Sequence, residues 1–86
     1  MNGAMLLQHA AGVIKHRERI YGPPQELFAQ IARRWSLVLG VEVSPAQVAL
    51  CLIDLKLARL IRDPSHLDSI ADVAGYAACL REVTRA

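Results

Sequence analysis

Apolar side chains lie on almost every side of one predicted helix, in the stretch from Ser44 to Arg62. At about 100° per residue, its few polar side chains fall on two opposite sides, so no broad solvated face remains. Between residues 46 and 61 these exceptions are Gln47, Asp54, Lys56 and Arg59. Such a helix is normally buried in a larger core. Because 86 residues are too few to bury it alone, the sequence predicts a homo-oligomer.

The two ends of this helix have recognisable signals. Ser44 and Gln47 have the spacing of a capping box, and Pro45 occupies the first helical position. At the other end, Pro64 disfavours helical geometry in the residue before it. The sequence therefore predicts both boundaries of this third helix from local chemistry.

Three further helices are predicted around it. Hydrophobic spacing predicts helix one from about residue 4 to 19, helix two from residue 24 or 25 to 39, and helix four from about 65 to 83. A turn at residues 21–24 contains glycine and two prolines, and Gly40 is placed to end helix two. The very short connection after Arg62 predicts that helices three and four form an antiparallel hairpin. We therefore predict one all-α, four-helix domain over residues 1–86, with helix three buried at its centre.

Composition supports helix packing and excludes several classes of protein. Hydrophobic residues make up 53% of the chain but aromatic residues only 5%, so Leu, Ile, Val and Ala supply most of the apolar volume. Charges interrupt every apolar run before it reaches the ~18 residues of a membrane span, and no signal peptide is recognisable. Cys51 and Cys79 lie in apolar helical patterns without zinc-ligand spacing, which predicts two buried thiols in a reducing compartment and no metal.

The small excess of positive charge is concentrated near the end of helix one. The formal net charge is +2, and Lys15, Arg17 and Arg19 precede the turn at Tyr21 and Gly22. This is too little basic charge for a nucleic-acid polymer, although it suits one small anion. The same residues are also explained by the negative end of the helix dipole.

One group of polar residues is worth weighing as a site. Counting outward from the turn between helices three and four sets Arg59 level with Asp68, and Lys56 level with Asp72. Three interpretations remain open: interhelical ion pairs that set the register, a pocket for a phosphate-bearing ligand, and a divalent-metal site using Asp54, Asp68 and Asp72. The candidate ligand-binding residues are Arg17, Arg19, Tyr21, Gly22, Lys56, Arg59, Asp68, Asp72 and Tyr76. No catalytic motif or cofactor signature is recognisable.

The order of residues also resembles a known family. The resemblance covers about residues 13 to 80 and includes Arg19-Ile20-Tyr21-Gly22-Pro23, Phe28…Trp35, Leu55-Lys56…Arg59 and His66…Asp68-Ser69…Asp72-Val73-Ala74-Gly75-Tyr76. This chain resembles a family of small phage and prophage proteins classed as a domain of unknown function. That family commonly has aspartate in place of Pro23 and an acidic residue in place of Gln47. The resemblance implies an all-helical phage protein in the cytoplasm of a bacterial host.

A looser similarity is to the all-α nucleotide pyrophosphohydrolases of the MazG type. Those enzymes hold magnesium with paired acidic motifs, ExxE followed by ExxD, whereas the nearest pattern here is Asp68-x-x-x-Asp72. We therefore expect a non-enzymatic protein that binds, and so sequesters, a phosphorylated small molecule such as a host nucleotide. The alternatives are a MazG-like pyrophosphohydrolase and a protein-interaction module without a ligand.

Overall fold

Four α-helices make up the fold. The computed structural model describes residues 1–85, with α1 at Gly3–Tyr21, α2 at Pro24–Leu39, α3 at Pro45–Arg62 and α4 at Leu67–Thr84. No β-strand occurs within these residues. The predicted all-α, four-helix fold is therefore confirmed.

The helix ends that the sequence predicted most clearly have the expected geometry. The Ser44 hydroxyl accepts a hydrogen bond from the Gln47 N–H at 3.1 Å, and the Gln47 side chain accepts one from the Ser44 N–H at 2.9 Å. This is the predicted capping box, and Pro45 follows as the first residue of α3. Gly40 ends α2 in the left-handed conformation, at φ 70° and ψ 17°.

Two helix boundaries differ from the prediction. α1 continues to Tyr21 and ends at Gly22, whose φ of 81° favours glycine and whose N–H donates to the Glu18 carbonyl at 2.9 Å. α4 begins at Leu67 rather than at Ser65, because His66 is its N-cap residue. The His66 ring nitrogen Nδ1 accepts from the Ser69 N–H at 3.3 Å and lies 2.7 Å from the Ser69 hydroxyl. His66 is thus the capping residue of α4.

The predicted α3–α4 hairpin is present, and the packing between these two helices is the most extensive of the fold. α4 also packs against both α1 and α2, while α2 packs against α3. The fully buried part of the core lies where α2, α3 and α4 meet, and consists of Phe28, Ala32, Val48 and Ala49. Partly buried residues that pack against it include Trp35, Tyr76 and Leu80. The predicted central position of α3 therefore holds for its first turns, and α4 is the helix that packs against all three others.

Residues 1–85 leave the outer side of α3 uncovered. Val48 and Ala49 are the buried residues of this helix, whereas Leu50, Leu55, Leu57 and Ile61 are exposed. Cys51 is also exposed, which corrects the prediction that both thiols are buried; Cys79 is half-buried. The prediction that α3 is buried on all sides assumed that other groups surround this helix. The described residues cover one side of it only.

Candidate functional site

A cleft of about 570 Å³ opens between α1, α4 and the start of α2. Apolar side chains such as Val13, Ile14, Leu27 and Phe28 form much of its wall. Its polar and ionisable groups come from two helices: His9, Arg17, Glu18 and Tyr21 from α1, and Asp68, Asp72, Tyr76 and Cys79 from α4. A largely apolar concavity with a few converging polar groups is the usual form of a small-molecule site.

Six of the nine predicted ligand-binding residues line this cleft. They are Arg17, Tyr21, Gly22, Asp68, Asp72 and Tyr76. Arg19, Lys56 and Arg59 do not line it. The structure therefore brings together the two parts of the sequence, the end of helix one and the start of helix four, that the prediction had combined.

Helical spacing explains why Arg17 and Arg19 differ. Ala10, Val13 and Arg17 follow one another at three- and four-residue steps, so they lie on the side of α1 that faces the cleft. Arg19 is two residues further on, about 200° around the helix, and lies on the far side. The basic cluster thus supplies one guanidinium to the cleft.

Lys56 approaches the cleft indirectly, through an ion pair with Asp72. The distance from Lys56 Nζ to Asp72 Oδ2 is 3.0 Å, and the two side chains are 15% and 36% exposed. This is one of the two pairs predicted across the α3–α4 hairpin. Because Lys56 neutralises it, Asp72 contributes less negative charge to the cleft than an isolated carboxylate would.

The second predicted pair, between Arg59 and Asp68, is not formed within residues 1–85. Arg59 and Asp68 are both exposed. A three-residue step turns Arg59 by roughly 60° from the direction of Lys56, so it turns away from α4 when Lys56 faces it. Asp68 instead extends into the cleft beside α1. Matching levels along the hairpin were therefore insufficient, because the directions of the side chains also had to match.

Three of the polar or ionisable residues that line the cleft had not been proposed as ligand contacts. His9 and Glu18 could have been found from helical spacing along α1. His9 precedes Arg17 by eight residues and Glu18 follows Ala10 by eight residues, so each lies on the side of the helix that faces the cleft. Cys79 lies three residues beyond Tyr76 on the same side of α4. Burial raises the pKa of the Cys79 thiol, and of the nearby charges Arg17 opposes this while Glu18 and Glu82 reinforce it. Cys79 is therefore held as a neutral thiol, a weak nucleophile.

The described residues do not assemble a metal-binding group. Within residues 1–85, no three His, Cys, Asp or Glu side chains come together in a way that could hold an ion. Asp54, the third member of the metal interpretation, is exposed on α3. It precedes Lys56 by two positions, about 200° around the helix, so it lies on the opposite side.

Comparison with known protein families gives a direct match. The model of DUF6378, a domain of unknown function, matches residues 5–84, nearly the whole chain. The chain belongs to this family. The predicted resemblance to a family classed as a domain of unknown function is therefore confirmed.

Two phage proteins are similar to this DUF6378 domain. The chain is 38% identical over 79 residues to the Gene 55 protein of Mycobacterium phage D29. This aligned region covers 91% of the chain and 52% of the phage protein. The chain is also 38% identical over 68 residues to the Gene 55 protein of Mycobacterium phage L5, where the aligned region covers 78% and 44% respectively. The chain thus spans about half of the length of these relatives. No solved structure matches the chain.

None of the helices described over residues 1–85 has the length and apolar character needed to cross a lipid bilayer.

The Lys56–Asp72 pair predicts an asymmetric response to mutation. We expect Asp72→Ala to destabilise the domain by about 1–3 kcal/mol, because it leaves the largely covered Lys56 ammonium without its partner. Replacing both residues, with Lys56→Met and Asp72→Leu, should restore most of the stability, because no unpaired charge remains. Urea unfolding followed by circular dichroism measures both changes. Equal stability of Asp72→Ala and the parent would contradict the pairing.

The two cysteines should differ strongly in reactivity. Cys51 is exposed, whereas Cys79 is half-buried and its raised pKa disfavours the thiolate that reacts with alkylating agents. We expect iodoacetamide at neutral pH to modify Cys51 first, and the difference to disappear in concentrated urea. Mass spectrometry of tryptic peptides over time would test this. Equal rates in the folded protein would show that the Cys79 side chain is more accessible than described.

Proposed function

We propose that this domain binds a small phosphorylated molecule, of the size of a nucleoside monophosphate, in the cleft between α1 and α4. The volume of about 570 Å³ lies within the usual range for small-molecule sites, roughly 300–1,000 Å³. The observation that carries the proposal is the convergence of Arg17, two tyrosines and two aspartates on one cleft from separate helices.

The charges of the cleft favour a ligand with one anionic group. Arg17 is the cation among the described residues that line it, and a guanidinium binds phosphate oxygens through two parallel hydrogen bonds. The carboxylates of Glu18 and Asp68 would repel further phosphates. They are suited to accept hydrogen bonds from hydroxyl or amino groups, such as those of a ribose or a base. A nucleoside monophosphate combines both kinds of group.

Gly75 supports the proposal because the fold does not require glycine there. It lies within α4, where glycine costs about 1 kcal/mol relative to alanine. A Cβ added at Gly75 would meet nothing within 4 Å. Gly75 lines the cleft, and the absence of a side chain there leaves space for a ligand.

A second candidate function is protein interaction, and a separate observation favours it. Large apolar side chains are exposed on α3 and at the end of α2, among them Leu37, Val38 and Ile61. Extensive apolar exposure of this kind marks association surfaces. Binding and association are compatible, because these residues do not line the α1–α4 cleft.

Arg17 and Arg19 provide a matched test of the ligand site. Arg17→Ala should weaken binding roughly ten- to a hundredfold, because it removes a charge-assisted contact of about 1.5–3 kcal/mol. Arg19→Ala removes the same charge from the far side of the same helix and should leave affinity unchanged. Isothermal calorimetry with nucleoside mono-, di- and triphosphates, with and without Mg²⁺, is the measurement.

The outcome of that panel separates the three functions. Binding without turnover supports a sequestering protein, and release of pyrophosphate in the presence of Mg²⁺ would instead establish the MazG-like activity. The ligand proposal fails if no compound binds the parent protein with a Kd below about 1 mM, which corresponds to a binding free energy of about −4 kcal/mol. Equal weakening by both arginine substitutions would indicate a general charge effect outside the cleft.

Gly75 and Gly12 provide a second matched pair. Each is a glycine inside a helix over which an added Cβ meets nothing within 4 Å, but only Gly75 lines the cleft. Alanine at either position should stabilise the domain by up to about 1 kcal/mol. Gly75→Leu should abolish ligand binding by filling the cleft, whereas Gly12→Leu should leave it intact. Thermal unfolding and calorimetry of the four variants test this, and intact binding by Gly75→Leu would place the ligand elsewhere.

A further inference from the structure

One side of α3 presents a continuous row of residues that the described part of the chain leaves uncovered. Leu50, Asp54, Leu57 and Ile61 follow at steps of four, three and four residues, so they lie on the same side of the helix. All four are exposed, and Ile61 is 83% exposed. We call this row the outer stripe. It faces away from the side on which Lys56 meets α4.

The chain as a whole exposes more surface than a monomer of its mass. Its accessible surface is 6169 Å², whereas the scaling for monomeric proteins of 9.4 kDa gives about 5,000 Å². The radius of gyration is 13.6 Å, against about 12 Å for a compact chain of this length. The excess area of about 1,200 Å² exceeds the ~800 Å² that each partner buries in a standard stable interface.

We infer that the outer stripe is the interface with a second copy of this chain, related by a two-fold axis. The excess area fits a dimer, and three of the four residues in the stripe are apolar, with the spacing by which paired helices interlock. The inference does not rest on the ligand site, since none of these residues lines the α1–α4 cleft.

Asp54 selects the direction of the pairing. If the two copies of α3 ran parallel, each Asp54 would face the same carboxylate of its partner, and like charges in contact are strongly unfavourable. In the antiparallel arrangement centred between Asp54 and Leu57, Leu50 of one copy packs beside Ile61 of the other. Each Asp54 then packs beside a leucine and keeps its carboxylate at the edge of the contact. The dimer is therefore antiparallel in α3.

A second exposed apolar patch is less suited to this role. It comprises Leu37, Val38, Leu39 and Val41, at the end of α2 and in the following loop. Successive helical residues point about 100° apart, so these side chains diverge and do not form one face. Leu37 is nevertheless 85% exposed, almost the same as Ile61, which makes it a matched control.

The experiment compares the parent chain with four variants by sedimentation velocity, over a dilution series reaching about 1 µM. We expect a dimer for the parent. The dimer dissociation constant should be at least about tenfold higher for Leu57→Asp and for Ile61→Asp, because each places a new carboxylate in the interface. Leu37→Asp should leave the dimer unchanged. Asp54→Leu should tighten it by about tenfold and still give a discrete dimer, because it completes the apolar stripe.

Each outcome decides the inference. Loss of the dimer in the stripe variants with retention in Leu37→Asp supports it, provided that circular dichroism shows the helices intact. If either stripe variant fails to fold, the gain of affinity in Asp54→Leu is the deciding result, and no gain overturns the inference. Loss of the dimer only in Leu37→Asp would move the interface to the end of α2. A parent chain that stays monomeric overturns the inference of a dimer. The part of the phage relatives that lies outside the matched region would then be the next candidate to test as a cover for the outer stripe.

Discussion

Close packing between α3 and α4 is the constraint on which the other contacts depend. The connection of four residues after Arg62 leaves these helices only a tight antiparallel arrangement, and the Lys56–Asp72 ion pair lies between them. With one side of α4 occupied by α3, α1 packs elsewhere on α4, and α2 contacts both helices of the hairpin. The cleft lies where α1, α4 and the start of α2 approach one another without filling the space between them.

Helix ends were the best-predicted part of the fold because their chemistry is local. The Ser44–Gln47 capping box and the left-handed Gly40 each depend on a few adjacent residues, so reading them required no knowledge of packing. The start of α4 was predicted less well. Serine is a far commoner cap than histidine, but here Ser65 is held by the Asp63 carboxylate, at 3.0 Å from its hydroxyl, and His66 serves as the cap instead.

Side-chain direction limited the prediction of the site. The level of Lys56 against Asp72 followed from counting residues, whereas the failure of Arg59 to meet Asp68 depends on how each helix is rotated about its own axis. The choice between Arg17 and Arg19 was accessible from the spacing of Ala10 and Val13, but the two arginines had been treated as one basic cluster. The exposure of Cys51 was not accessible, because an apolar pattern does not reveal which side of a helix its own chain covers.

The packing of α1 against α4, with little of α1 fully buried, has a consequence for the cleft between them. Ala10 is the buried residue of this 19-residue helix, while the fully buried core belongs to α2 and α3. Elements with little buried apolar surface open at low free-energy cost, before the rest of the fold. We therefore expect α1 to separate from α4 before the α2–α3–α4 core unfolds, and this separation would widen the cleft along α1. A molecule bound to both helices would hold α1 against α4 at a cost in the conformational entropy of α1. Its own dissociation would then be slow, because it requires the two helices to separate.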